Sequence, residues 1–264
     1  MSPFLGLLKK EFRLGLTGFF LAFLVLVVSF GFSFYLSWKQ DEPSILFTLS
    51  IAIILGHVLY LPGYIGVSLY AEKGKMHLWL HSPHSGSVLL LAKLLNGLLA
   101  MFISLSIASV ITIYTGVFVI DVLTEADITW KDMIKIGLNI VSHVVATSIY
   151  FTVWGVFLWT IEQFLKRFVG KLRWVVMVFL VISGLWLITK WETSALFEML
   201  THWGVVQSSL PVTMFNGVIF TAGSLSIYAS GMDKFFVGIY LYYTIVAILV
   251  FLVSGWLLGK KVEV

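Results

Sequence analysis

Side chains able to do chemistry are scarce in this chain, and several of them interrupt long apolar runs. His57, Tyr60, Asn96 and His143, with Ser142 and Ser148, fall at membrane depth in such runs. Polar and ionisable groups there are costly, and they either line a pathway or bond a neighbouring helix. His57, Tyr60, Asn96 and His143 are therefore the candidate translocation-path residues, with interhelical hydrogen bonding as the structural alternative. His77, His81 and His84 form a second histidine group. A spacing of four residues puts His77 and His81 on one helix face, as in metal sites, but Pro83 breaks the helix and no third strong ligand stands beside them. No metal site is expected. There is no cysteine, which excludes thiolate chemistry and disulfide staples.

Catalysis by the chain itself finds no support in its residues. A phosphate-cradling loop needs G-x-x-x-x-G-K-[ST], and none of the Gly-Lys pairs ending at Lys75, Lys171 and Lys260 has a glycine five positions before its own. An intramembrane hydrolase would need paired carboxylates, an H-E-x-x-H run or a nucleophile with a histidine partner. His57 and His143 have no acid near mid-membrane. A secondary transporter would show inverted repeats and buried acids, and neither is visible. The expected reading is no catalytic residue, no cofactor bound by this chain, and no nucleic-acid partner.

The elements that hold these residues follow from composition. Of 264 residues, 59% are hydrophobic and 11% charged, with a mean hydropathy of +1.01. Too little polar surface exists to cover a soluble globule. The apolar runs reach the roughly 20 residues that a helix needs to cross hydrocarbon, and they are apolar all round, unlike barrel strands. An all-α polytopic membrane protein with six spans is expected: Leu16–Trp38, Ser44–Tyr70, Leu89–Ile120, Ile134–Gln163, Trp174–Thr189 and Phe235–Leu258. Residues 1–15 put Phe4, Leu5, Leu7, Leu8 and Phe12 on one arc and Lys9, Lys10 and Arg13 on the other, the pattern of a helix lying on the membrane with its basic face toward anionic lipid headgroups. Glu11 breaks that pattern by falling on the apolar side. Pro43 predicts an extended residue before it and a helix start after it, and Pro62 predicts a kink in the second span. Residues 191–233 are long and apolar, so short re-entrant or surface helices are expected there.

Orientation follows from the basic residues. With six spans, 12 of the 17 lysines and arginines share one side with 4 of the 13 acids, and the other side holds the remaining five bases and nine acids. The net charges, +8 and −4, place both termini and the 71–88 link in the cytoplasm, with the chain multi-pass in the cell membrane.

That link, between spans two and three, carries Glu72, Gly74, Lys75, Leu78, Leu80, Ser82, Pro83 and Ser85, then Leu89, Leu90, Leu91, Ala92 and Lys93. An acid at its start suits a helix N-terminus, and Ser85 is placed to cap the helix that re-enters the membrane. Met76, Leu78, Trp79 and Leu80 are apolar residues rimmed by charge, the make-up of a docking surface. The run LLKKEFR at the start, six spans, and a link reading E-x-G-x-x-x-x-x-L-x-x-S-P-x-S followed by L-L-L-A-K resemble the membrane subunit of type-2 ATP-binding-cassette (ABC) exporters. The architecture covers the whole chain and the local motif about 22 residues. Two positions depart from the family pattern: Lys75 stands where Thr or Ser is common, and His84 where an apolar residue is common.

The resemblance implies that the link is a coupling helix inserted into a cytoplasmic ABC ATPase, with Glu72, Gly74, Lys75, Leu78, Leu80, Ser82, Pro83 and Ser85 at the contact. It further implies two ATPase copies carrying the ATP and Mg, a second six-span permease, identical or related, and export of an amphipathic or lipophilic substrate such as a peptide, antibiotic or lipid-like molecule. An immunity or sensing protein on the same scaffold is the alternative.

Overall fold

The structure, a computed structural model, describes residues 3–72, 85–120, 129–207, 216–221, 224–229 and 234–260. Six of its helices are long and apolar enough to cross a membrane, and the chain is a multi-pass helical membrane protein. The fold separates into two compact units, one made of Met1–Gly170 with Leu249–Val264 and the other of Lys171–Ile248.

The larger unit starts with α1 (Pro3–Gln40). Residues 1–15 are read from sequence as a separate surface helix, whereas α1 runs without interruption from Pro3 into the first span. Gly15 and Gly18, the residues best able to break it, instead seat Tyr64 against the helix, and a Cβ at Gly15 would strike the Tyr64 hydroxyl. At about 1.5 Å per residue the helix is about 57 Å long, nearly twice the hydrocarbon thickness. It stops at Asp41, which has φ +51°. Glu42 is extended ahead of Pro43, and Pro43 opens α2 (Pro43–Gly56), as its ring geometry requires.

The second span departs from α-helix just ahead of its proline, which itself lies in the helix that follows. Between α2 and α3 (Tyr60–Glu72) lies one 3-10 turn, His57–Leu59. Pro62 has no N–H to give the carbonyl of Val58 one turn earlier, and the tighter turn falls on that position. Next comes α4 (Gly86–Gly116), the central helix, packed against α1, α2 and α3. The 40-residue α5 (Trp130–Val169) begins with a reciprocal capping box: Thr129 Oγ1 accepts from the Asp132 N–H, and Asp132 accepts from the Thr129 N–H. Leu61, Leu89, Met101, Leu105 and Leu258 are almost wholly buried and form the middle of the core.

The smaller unit contains α6 (Arg173–Glu192), the short α7 (Ala195–Thr201) and the beginning of α8 (Val237–Lys260). No residue of α6 is buried, but Met177, Val181 and Ile188 are half-buried along one stripe while the rest of its apolar side chains are mostly exposed. The Tyr243 hydroxyl donates to Glu192 at 2.7 Å. Across residues 191–233 the expectation of short helices is met, among the described residues, by α7 alone. Instead, β1 (Val205–Gln207) pairs antiparallel with β4 (Lys234–Phe236), and β2 (Asn216–Thr221) pairs with β3 (Ser224–Ala229). An apolar segment satisfies its backbone by a local ladder as well as by a helix, and the run SLSIYA alternates as a strand does.

Candidate functional site

Lys93 is the largest fully buried side chain among the described residues, at 1% exposure. It lies two turns into α4, and a bare ammonium there would be prohibitively costly. Its ammonium donates to Glu11 Oε2 on α1 at 2.5 Å and to Ser68 Oγ on α3 at 2.9 Å, and it pairs ionically with Glu72 Oε2, one turn after Ser68 at the end of α3, at 2.8 Å. Lys10 completes the cluster from the surface. Its ammonium lies 2.9 Å from Glu72 Oε1 and 3.6 Å from Glu11 Oε1, with about half of its side chain exposed. Two lysines and two glutamates give a neutral group that ties three helices together. Glu11 is the residue that breaks the amphipathic pattern of the N-terminus, and its burial on Lys93 is the reason.

The cluster stands at both roots of the 73–84 segment. Glu72 is the last residue before it, and Lys93 lies on the helix that begins just after it. That helix is capped as its sequence predicts: the Ser85 side chain accepts from the Val88 N–H. Gly74, Lys75, Leu78, Leu80, Ser82 and Pro83, and likewise His77, His81 and His84, lie outside the described residues.

Behind the cluster, span two and α4 run antiparallel and are joined by polar side chains at three levels. Ser68 meets Lys93, His57 Nε2 lies 3.0 Å from Ser104 Oγ, and Ser50 Oγ lies 3.3 Å from Thr115 Oγ1. His57 Nδ1 faces the Ile53 carbonyl at 2.8 Å. With Nδ1 as the donor there, Nε2 is the acceptor for the Ser104 hydroxyl. Tyr60 stacks on the imidazole at 5.8 Å with an interplanar angle of 3°, and Ser148 on α5 donates to the His57 carbonyl at 3.4 Å. The candidate path residues are thus partly brought together. His57 and Tyr60 share one contact, whereas Asn96 donates to the carbonyls of Leu8 and Ala92 and so fixes α1 on α4. His143 Nδ1 lies 2.9 Å from the carbonyl of Asn139 on its own helix.

The middle rung can be weighed. Ser104→Ala is expected to cost about 0.6 kcal/mol, the usual size of an interhelical hydrogen bond in a membrane. A double-mutant cycle with His57→Phe, read by unfolding in detergent, checks it; zero coupling would show that the rung contributes nothing.

A second feature escapes a reading based on span polarity. Gly255 and Gly259, spaced as G-x-x-x-G in α8, lie against the start of α4. A Cβ at Gly86 would sit 2.5 Å from the Gly255 carbonyl, and one at Gly255 would strike Ser87. Small residues four apart let two helix backbones approach this closely, and the sequence carries that signal.

Comparison with known proteins adds one relative. The chain is 27% identical over 223 residues, 81% of either chain, to the uncharacterized protein YhcE of Bacillus subtilis (strain 168). No protein-family model and no solved structure matches it.

Proposed function

We propose that this chain is the membrane-spanning permease subunit of an ATP-driven ABC exporter of the type-2 class, a subunit that binds no nucleotide itself. The observation that carries the reading is the ionic cluster at the two roots of the 73–84 segment, whose residues fit the coupling-helix pattern of that family. A push on this segment reaches Glu72 and the cap at Ser85 first. Through Lys93 and Glu11 it passes to α3, α4 and α1 together, and the three polar rungs hold span two and α4 as one hairpin. Rigid elements moved together in this way are what alternating exposure requires.

In this reading the basic side of the membrane is cytoplasmic, with both termini and the segment on it. A cytoplasmic ABC ATPase, present in two copies with its own ATP and Mg, docks at Gly74, Lys75, Leu78, Leu80, Ser82, Pro83 and Ser85, with the buried Glu72 as the root of the segment. A second six-span permease, identical or related, completes the path. His57 and Tyr60, half-way along the hairpin, are assigned to it in this reading. An apolar interior with few charges suits an amphipathic or lipophilic cargo.

The test is co-purification with a P-loop ATPase encoded beside this chain. Glu72→Ala, or Leu80→Ala with Pro83→Ala, is expected to weaken the association, or to lower ATP hydrolysis stimulated by transport, by about tenfold for a lost docking interaction near 1.4 kcal/mol. Unchanged association and turnover in both variants would remove the docking role.

A further inference from the structure

Lys10 and Glu11 are held by the bundle, and this fixes the rotation of α1. The rotation turns Lys9 and Arg13, four residues apart and both exposed, away from the core. Among the described residues neither makes an ion pair. With Lys10, Gly6 and Leu14 they form one open face of α1. A side chain at Gly6 would meet nothing within 4 Å, so the space beside the three cations is clear. Beside it Leu5 is 54% and Phe12 47% exposed, and the apolar face of the first span begins at Leu14.

Three cations on one open helix face fit an anion with several oxygens. The apolar side chains on the same helix, and the span that follows directly, select the anion that arrives attached to acyl chains. We propose that this face binds the phosphate of an anionic phospholipid headgroup, with Lys9 and Arg13 as its contacts and Lys10 shared between the headgroup and Glu72. Lys10 is the only member of the buried cluster with an exposed side chain, so it can turn outward. Glu72 then keeps Lys93 as its counter-ion at 2.8 Å and is not left unpaired. Lipid occupancy therefore draws one of the two cations off the carboxylate at the root of the 73–84 segment. The proposal rests on the chain's being a membrane protein and stands whether or not the chain is an exporter.

The experiment titrates the purified full chain with nanodiscs of phosphatidylcholine containing increasing phosphatidylglycerol. Binding of a fluorescent phosphatidylglycerol is the readout, with inorganic phosphate as a separate arm. The variant Lys9→Gln with Arg13→Gln, both on the exposed face and so not needed for folding, is expected to bind phosphatidylglycerol about tenfold or more weakly, since a basic residue near a membrane surface contributes severalfold on its own. Glu72→Gln is expected to bind more tightly by about threefold, because Lys10 is released. Glu263→Gln, the same change in net charge made elsewhere, is expected to have no such effect. Equal binding of phosphatidylcholine, or equal affinity in the Lys9→Gln, Arg13→Gln variant, would overturn the site. Competition by inorganic phosphate as effective as that by the lipid would overturn the lipid assignment. A gain in Glu263→Gln equal to that in Glu72→Gln would overturn the sharing of Lys10.

Discussion

Lys93→Met is expected to destabilise the protein by about 3–5 kcal/mol, because it leaves the buried carboxylates of Glu11 and Glu72 without their common counter-ion. Lys10→Met removes a cation from the same cluster and is expected to cost about 1 kcal/mol or less, since its side chain is half in solvent and screened there. The contrast separates a buried hub from a surface contact. Equilibrium unfolding in detergent micelles, followed by circular dichroism, reads both. A partial rescue is expected when Glu11→Gln is added to Lys93→Met, since the orphaned charge on α1 is then gone and Lys10 still serves Glu72. If the two lysine variants lose equal stability, or if the second substitution makes matters worse, the hub description fails.

The next largest effect is expected where α8 crosses the start of α4. Gly86→Ala and Gly255→Ala each place a methyl against the other helix, and in the first case the obstacle is the Gly255 carbonyl, a backbone atom that cannot rotate away. Overpacking of this kind costs about 1–3 kcal/mol, and relief requires α8 to move off α4. Gly63→Ala, in α3 with open space where its Cβ would go, is the control: it is expected to be neutral or to stabilise by up to about 1 kcal/mol, the helix-propensity difference between the two residues. Thermal unfolding of the three variants side by side gives the answer. A loss at Gly63 as large as that at Gly86 would mean that propensity and close approach were not being distinguished.

The spans were legible because each is a local property of about 20 residues, and the same is true of the Pro43 start, the break ahead of Pro62 and the Ser85 cap. Glu11 shows where local reading stops. Its misplacement on an apolar arc is visible in the first dozen residues, but its partner lies 82 positions later, and no window of sequence joins them. For the same reason the sequence shows Lys93 as the end of a family motif and not as an ion-pair hub. The separate N-terminal surface helix was inferred from amphipathicity alone; Tyr64, which packs on Gly15 and Gly18, belongs to another span. The ladders of the smaller unit are hidden by its hydropathy: of the paired runs Asn216–Thr221 and Ser224–Ala229 only the second alternates, and the two residues between them, Ala222 and Gly223, are a weak turn signal.

The same distance between Glu11 and Lys93 has a consequence for synthesis. At roughly 5–20 residues per second, the lysine leaves the ribosome roughly 4–16 s after the glutamate. Throughout that interval the carboxylate on the first helix lacks its buried counter-ion. The second span can already offer Tyr64 and Glu72 to that helix, so its seat is completed, rather than begun, when the third span arrives.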